Sequence, residues 1–134
     1  MRWLRSILGG ILAEMLVLVL ILPVAYAVGF DLSAGDAASV PPALNAAIVV
    51  ASFVAPLLLT QWVARRLVTQ FVLHGFLVGF TAFVVYMIPM TLSGESQPLV
   101  YWIAHAMKIL GGLSGGVVAA RRFAARGATV TTNA

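Results

Sequence analysis

The sequence has few charged residues and no cysteine. Charged side chains make up 9% of its 134 residues, whereas a soluble domain typically has about 25%. With this composition, and with a mean hydropathy of +1.06, the apolar side chains cannot all be buried in the core of a soluble protein. The absence of cysteine excludes disulfides, thiol catalysis and thiolate metal sites. The composition therefore predicts an integral membrane protein.

Acidic residues are scarce: Asp and Glu number four against eight Lys and Arg, so the net charge is +4. A basic chain can bind nucleic acid, but every basic residue except Lys108 falls in one of three short clusters beside an apolar run. This placement is typical of loops that anchor a membrane protein on its cytoplasmic side. We expect the lipid bilayer as a partner and no nucleic acid. The clusters are Arg2 with Arg5, Arg65 with Arg66, and Arg121 and Arg122 with Arg126.

Four apolar runs are long enough to cross a bilayer as helices: residues 7–29, 43–62, 67–91 and 99–120. The first run, for example, would be about 34 Å long at 1.5 Å per residue. The connections between the runs are short, so sequential helices should pack as antiparallel neighbours. The sequence predicts an all-α fold, with the whole chain forming one bundle of four transmembrane helices.

The charges of the connections predict an orientation. The basic clusters occur before the first run, between the second and third, and after the fourth. In the other two connections the charged residues are all acidic: Asp31, Asp36 and Glu95. The positive-inside rule then places both termini in the cytoplasm. We expect a multi-pass protein of a bacterial cytoplasmic (inner) membrane.

The first run also has features of a secretory signal. It follows a basic start, and Ala25-Tyr26-Ala27 resembles an A-x-A cleavage site. Glu14 argues against this interpretation, since a charge is poorly tolerated in the apolar core of a signal peptide. The run is also longer than the usual ~7–15 residues. We interpret it as a retained helix, with processing after Ala27 as the alternative.

The halves of the chain show a weak similarity. The second and fourth runs both end in alanine and two arginines, at Ala64-Arg65-Arg66 and Ala120-Arg121-Arg122. The first and third both contain a glycine turn near their start, GGIL at residues 9–12 and HGFL at residues 74–77. A two-plus-two tandem repeat would explain this. The alternative is that apolar helices with arginine ends look alike without common ancestry.

Two formally charged residues, Glu14 and Lys108, lie within the apolar runs. A charge near the bilayer centre costs at least about 2.5–3.5 kcal/mol, so such residues usually face the bundle interior and find a partner. Counted from the nearest basic cluster, Glu14 is about 13 Å deep and Lys108 about 20 Å deep. Two long side chains can bridge this difference, so an ion pair between them is allowed.

Two histidines add to the polar residues of the apolar runs. His74 has a depth of about 12 Å, close to that of Glu14, and His105 shares a helix face with Lys108 three residues later. One interpretation is that Glu14, His74, His105 and Lys108 line a polar site or path for protons or a charged solute. The other is one buried ion pair, with the histidines hydrogen-bonded between helices.

Glycines recur at the four-residue spacing that lets helices approach closely in lipid. Such a face serves packing inside the bundle, a dimer interface or both, and we favour packing inside the bundle. The candidate packing residues are Gly75 and Gly79 in the third run, and Gly111, Gly112, Gly115 and Gly116 in the fourth.

The sequence contains none of the HExxH, P-loop or GxSxG motifs, and its metal-ligating residues are not clustered. We expect no enzyme, no cofactor and no metal site. Two functional classes remain. The first is a structural or accessory membrane protein, assembled through its glycine faces with itself or with a larger membrane complex. The second is a small proton- or ion-coupled transporter that uses Glu14.

Two resemblances accompany this reading. The run from Leu8 to Glu14 (LGGILAE) resembles the start of the first helix in small multidrug resistance transporters, which are four-helix proteins of similar size. The resemblance implies that Glu14 binds protons and cationic drugs in exchange. The third run lacks the tryptophan of that family, and His105 and Lys108 intrude on the fourth, which disfavours a cationic cargo.

The second resemblance is broader. Ala64-Arg65-Arg66, followed by LHGFLVG at residues 73–79 and a glycine-rich final run, is similar to small uncharacterised four-helix membrane proteins of bacteria. It implies the same architecture and brings no activity with it.

Overall fold

The structure, a computed structural model, describes residues 2–30, 40–94 and 98–131. Within these ranges the chain forms four α-helices, and each is long and apolar enough to cross a membrane. The prediction of an all-α, multi-pass membrane protein is confirmed to that extent. The acids of the two acidic connections, Asp31, Asp36 and Glu95, lie outside the described residues. The helices are α1 (Arg2–Ala27), α2 (Pro42–Ala64), α3 (Phe71–Ser93) and α4 (Leu99–Thr131).

The helices begin and end at different residues from the apolar runs. Helix α1 begins at Arg2 rather than at residue 7, and α4 continues to Thr131 rather than ending at residue 120. The reason is that an apolar run stops at the first arginines, whereas arginine is a good helix former and the helix continues through it. Helix α3 begins at Phe71 rather than at residue 67, because Gln70 adopts a left-handed conformation (φ 58°, ψ 32°) at its N-cap.

The ends of the helices follow local rules. Helix α1 ends in a Schellman motif, in which the N–H of Phe30 donates to the carbonyl of Ala25 and the N–H of Gly29 to that of Tyr26. Gly29 has the positive φ, 66°, that this motif requires. Helix α2 has proline at its first position, where the missing N–H costs no hydrogen bond.

In cross-section the four helices lie at the corners of a rhombus. Helices α2 and α3 face each other across its short diagonal, and α1 and α4 face each other across its long diagonal. Helices α1 and α4 each pack on both α2 and α3, and α2 and α3 also touch each other. In the described part of the chain, the backbones of α1 and α4 do not come into contact. Sequential helices therefore touch, as expected, but α2 and α3 meet across the short diagonal rather than side by side.

Glycines mark where α4 meets α3. Gly75 and Gly112 face each other so closely that a Cβ on either one would contact the backbone carbonyl of the other. On one side of this contact Gly79 lies against the backbone of Lys108, and on the other side Gly116 lies against that of Phe71. Residue numbers rise in one helix as they fall in the other, so this pair is antiparallel.

The alternate glycines of α4 face α2 instead. A Cβ on Gly111 would contact the carbonyl of Phe53, and one on Gly115 would contact Leu57 and Thr60. Here the residue numbers rise together, so α2 and α4 run parallel. Each double glycine of α4 therefore supplies one position to α2 and one to α3.

Gly10 gives α1 the same kind of approach to α3. A Cβ at this position would lie 2.7 Å from the carbonyl oxygen of Val78 and within 2.9 Å of the Thr81 methyl group. These two helices also run parallel. The interior is built from small side chains, such as Ala13, Ala55 and Ala82, while many large apolar side chains face outwards, as lipid-facing helices require.

We expect Gly75→Ala to weaken the contact between α3 and α4. The added methyl group has backbone in front of it rather than a flexible side chain, so the helices must separate. Overpacking of this kind costs about 1–3 kcal/mol. Thermal unfolding in mild detergent should show a lower midpoint for Gly75→Ala. The control is Ala106→Leu, which enlarges an exposed residue of α4. Equal midpoints for Gly75→Ala and the wild type would contradict the assignment.

Candidate functional site

The interior of the bundle contains an ion pair between α1 and α4. The Nζ atom of Lys108 lies 2.7 Å from a carboxylate oxygen of Glu14. Glu14 is 5% exposed and Lys108 is 2% exposed, so both charges are buried. The pair joins the two helices whose backbones stay apart across the long diagonal.

Glycine contacts on α3 place the two partners. Glu14 lies one turn after Gly10, which brings the backbone of α1 against Val78 and Thr81. The backbone of Lys108 lies against Gly79 of the same helix. Helix α3 therefore serves as a common surface for α1 and α4, and the long side chains of the pair cross the space that remains between them.

An aromatic ring completes the surroundings of Lys108. Its Nζ atom lies 4.7 Å from the ring centre of Tyr86, which is within the range of a cation–π contact. Such a contact is strongest where water is excluded, because the ring replaces part of the lost hydration. The ammonium group is thus held by a carboxylate and by the ring of Tyr86.

His105 lies next to this pair, in an aromatic pocket. It precedes Lys108 by almost one turn, and its ring centre lies 4.6 Å from that of Tyr86. The rings of Phe83 and Trp102 form T-shaped contacts with the imidazole, with centre separations of 5.4 and 6.2 Å. His105 is 4% exposed, and neither ring nitrogen has a hydrogen-bond partner among the described residues.

His74 belongs to a different part of the interior. Its Nδ1 atom lies 2.7 Å from the hydroxyl oxygen of Ser6, and its ring centre lies 5.1 Å from that of Trp3. Ser6 precedes Glu14 by eight residues, or about 12 Å along α1. The depth predicted for His74 is counted from Arg66, but α3 begins only at Phe71, so His74 lies in the first turn of its helix.

The structure thus divides the four predicted polar residues into two groups. Glu14, Lys108 and His105 lie together with Tyr86, and His74 lies with Ser6. Tyr86 and Ser6 are not among the polar residues predicted from the sequence. Tyr86 lies inside the third apolar run and Ser6 just before the first, and both are weak signals because such residues often pack without a specific polar role.

The arginines are gathered at one end of the bundle, where α1 and α3 begin and α2 and α4 end. The guanidinium group of Arg5 lies 4.4 Å from the ring centre of Trp62. Arg122 donates a hydrogen bond of 3.2 Å to the side chain of Gln61. Helix α1 begins at Arg2, whose side chain lies outside the described part. Arg65, Arg66, Arg121 and Arg126 are exposed at this end.

Comparison with known proteins adds no relative: no protein-family model, curated protein or solved structure matches the chain. The two resemblances noted from the sequence therefore stay predictions. Across residues 2–30, 40–94 and 98–131, histidine and acidic residues form no group of three or more able to hold a metal ion.

The ion pair makes a prediction about stability. Removal of one partner from a buried pair leaves an uncompensated charge and costs about 3–5 kcal/mol. We expect Glu14→Gln and Lys108→Met each to lower the unfolding free energy by such an amount. The double variant should recover most of the loss, since it leaves neither charge unpaired. Unfolding by denaturing detergent measures all four proteins. Additive losses in the double variant would contradict a coupled pair.

Proposed function

We propose that this chain is a non-enzymatic membrane protein of structural or accessory type. The observation that carries the proposal is the closed ion pair. Glu14 and Lys108 contact each other at 2.7 Å, and neither is exposed enough to exchange a bound ion with water. Such a pair holds α1 and α4 in one relative position. A rigid bundle suits a protein that supports or assembles with others in the bilayer.

The close contacts between helices support the same proposal. The glycines of α3 and α4 are occupied by contacts within the chain, so their small surface is used inside the bundle. Contact with a second copy or with a larger membrane complex would then use the outer apolar faces. Helix α1 has the most extensive of these, with Leu8, Met15 and Val19 among its exposed residues.

We further propose that both termini lie in the cytoplasm of a bacterial cell, with the bundle in its cytoplasmic membrane. The support is the gathering of arginines at one end, because the positive-inside rule assigns that end to the cytoplasm.

A tandem origin of the two halves is proposed as well. Helices α1 and α3, and likewise α2 and α4, would correspond in such a repeat, and each of these pairs lies side by side and parallel.

A second candidate function is proton- or ion-coupled transport through Glu14. The observation that favours it is His105, whose two ring nitrogens are buried without a hydrogen-bond partner in the part of the chain described. Tyr86 contacts both His105 and Lys108, so the group extends from the ion pair towards the end of the bundle opposite the arginines. Buried titratable groups in a row are a requirement of proton pathways.

A flux measurement separates the two candidates. The protein is reconstituted in liposomes that contain a pH-sensitive dye, and a pH gradient is applied. For a structural role we expect the wild type to pass protons no faster than protein-free liposomes. The double variant Glu14→Gln/Lys108→Met, which lacks both charges, serves as the matched control. A wild-type flux that is lost in this variant would replace the first proposal with transport.

The orientation has its own test, since the chain contains no cysteine that would interfere with labelling. Single cysteines are introduced at Ser39, in the acidic connection, and at Thr69, between α2 and α3. A membrane-impermeant maleimide should label Ser39→Cys in intact cells and Thr69→Cys only after permeabilisation. The reverse pattern would place the termini outside.

A further inference from the structure

The arginine end of the bundle contains a cavity of about 710 Å³. Its rim is basic: Arg65 and Arg66 come from the connection after α2, and Arg122 and Arg126 come from successive turns of α4. Arg122 and Arg126 are four residues apart, so they lie on the same face of the helix. Four arginines thus line one space.

Acidic residues are absent from this end of the described structure. The one acid within the described ranges is Glu14, which is paired with Lys108 in the interior. The remaining acids of the sequence belong to the connections that join the helices at the opposite end. Within residues 2–30, 40–94 and 98–131, no carboxylate therefore lies beside the cavity to offset its positive charge, which favours an anion there.

One arginine of the rim is held in place by a bridging side chain. The amide nitrogen of Gln61 donates to the carbonyl oxygen of Gly115 at 2.6 Å, and its amide oxygen accepts from Arg122 at 3.2 Å. Gln61 thus links α2 to α4 and orients a guanidinium group that has five N–H donors. A planar group held in this way is suited to the oxygens of a phosphate.

An apolar groove of about 640 Å³ continues from the cavity along α3 and α4. The two share Phe71, whose ring packs on that of Phe123 at the basic end. On α4 the groove is lined from Ala120 back to Leu113, which is about 10 Å along the helix axis. Its lining is almost entirely apolar, and it runs from the basic end towards the middle of the bundle.

We propose that the cavity and the groove together bind an anionic phospholipid. The phosphate lies among Arg65, Arg66, Arg122 and Arg126, and one acyl chain lies in the groove past Phe71 to Leu113. A soluble phosphate would use the arginines but would leave the groove empty, whereas a phospholipid fills both. Basic pockets between helices at a membrane surface are suited to such headgroups.

The test measures how lipid stabilises the purified protein in mild detergent. Phosphatidylglycerol is added in increasing amounts, and the rise in the thermal unfolding midpoint gives an apparent affinity. Arg122→Gln should weaken this affinity about fivefold, the effect of one basic contact near a headgroup. Arg65→Gln provides a second variant on another element. Arg121→Gln is the matched control, since Arg121 loses the same charge but does not line the cavity.

A second pair of variants tests the groove. Leu113→Trp fills the groove and should lower the apparent affinity for long-chain phosphatidylglycerol several-fold. Val117→Trp, on the exposed surface of α4, should leave this affinity unchanged. The proposal is overturned if Arg121→Gln and Arg122→Gln weaken binding equally, because the charge then acts without a site. It is also overturned if phosphatidylcholine, inorganic phosphate or short-chain dihexanoyl phosphatidylglycerol stabilises the protein as much as long-chain phosphatidylglycerol does.

Discussion

The structure depends on the need of a buried charge for a partner. Lipid offers no hydration, so Glu14 and Lys108 are tolerated only because each lies 2.7 Å from the other. Their helices do not otherwise meet, and the pair sets how α1 and α4 align. A shift of one residue would rotate either side chain by about 100° and separate the charges. Few arrangements of four apolar helices satisfy this condition. The ion pair therefore favours one arrangement of the helices more strongly than contacts between apolar surfaces alone would.

The glycines let the ion pair form without a gap. Apolar burial gives little drive between helices in lipid, so association depends on close packing. In α4 the glycines contact two different helices: Gly111 and Gly115 lie against α2, and Gly112 and Gly116 lie against α3. One short segment thus joins two neighbours at once. Where side chains are absent at the backbone contacts, the remaining space is small enough for Glu14 and Lys108 to bridge.

The sequence predicted the features that depend on length and composition alone. Four spans followed from apolar runs, and helical spacing placed His105 on the same face as Lys108. It did not predict that His74 lies with Ser6, because its depth depends on where α3 begins, and the left-handed conformation of Gln70 leaves no clear signal. Nor did it indicate Tyr86 or the two diagonals, which arise from contacts between residues distant in the chain. The spacing of residues in the sequence shows which side chains share a face of one helix. The site combines side chains from three helices, so their mutual contacts cannot be read from that spacing.

The composition of α4 has a consequence for biogenesis. Its membrane span, Leu99–Arg126, contains Lys108 and four glycines, and it is the least apolar of the four spans. On its own it would partition into lipid less readily than the helices made before it. Its ion-pair partner Glu14 lies on the first helix of the chain, so Glu14 has no Lys108 beside it until the last helix has been made. We therefore expect the last span to enter the bilayer with help from the first, which would make insertion of the chain a cooperative process rather than four independent events.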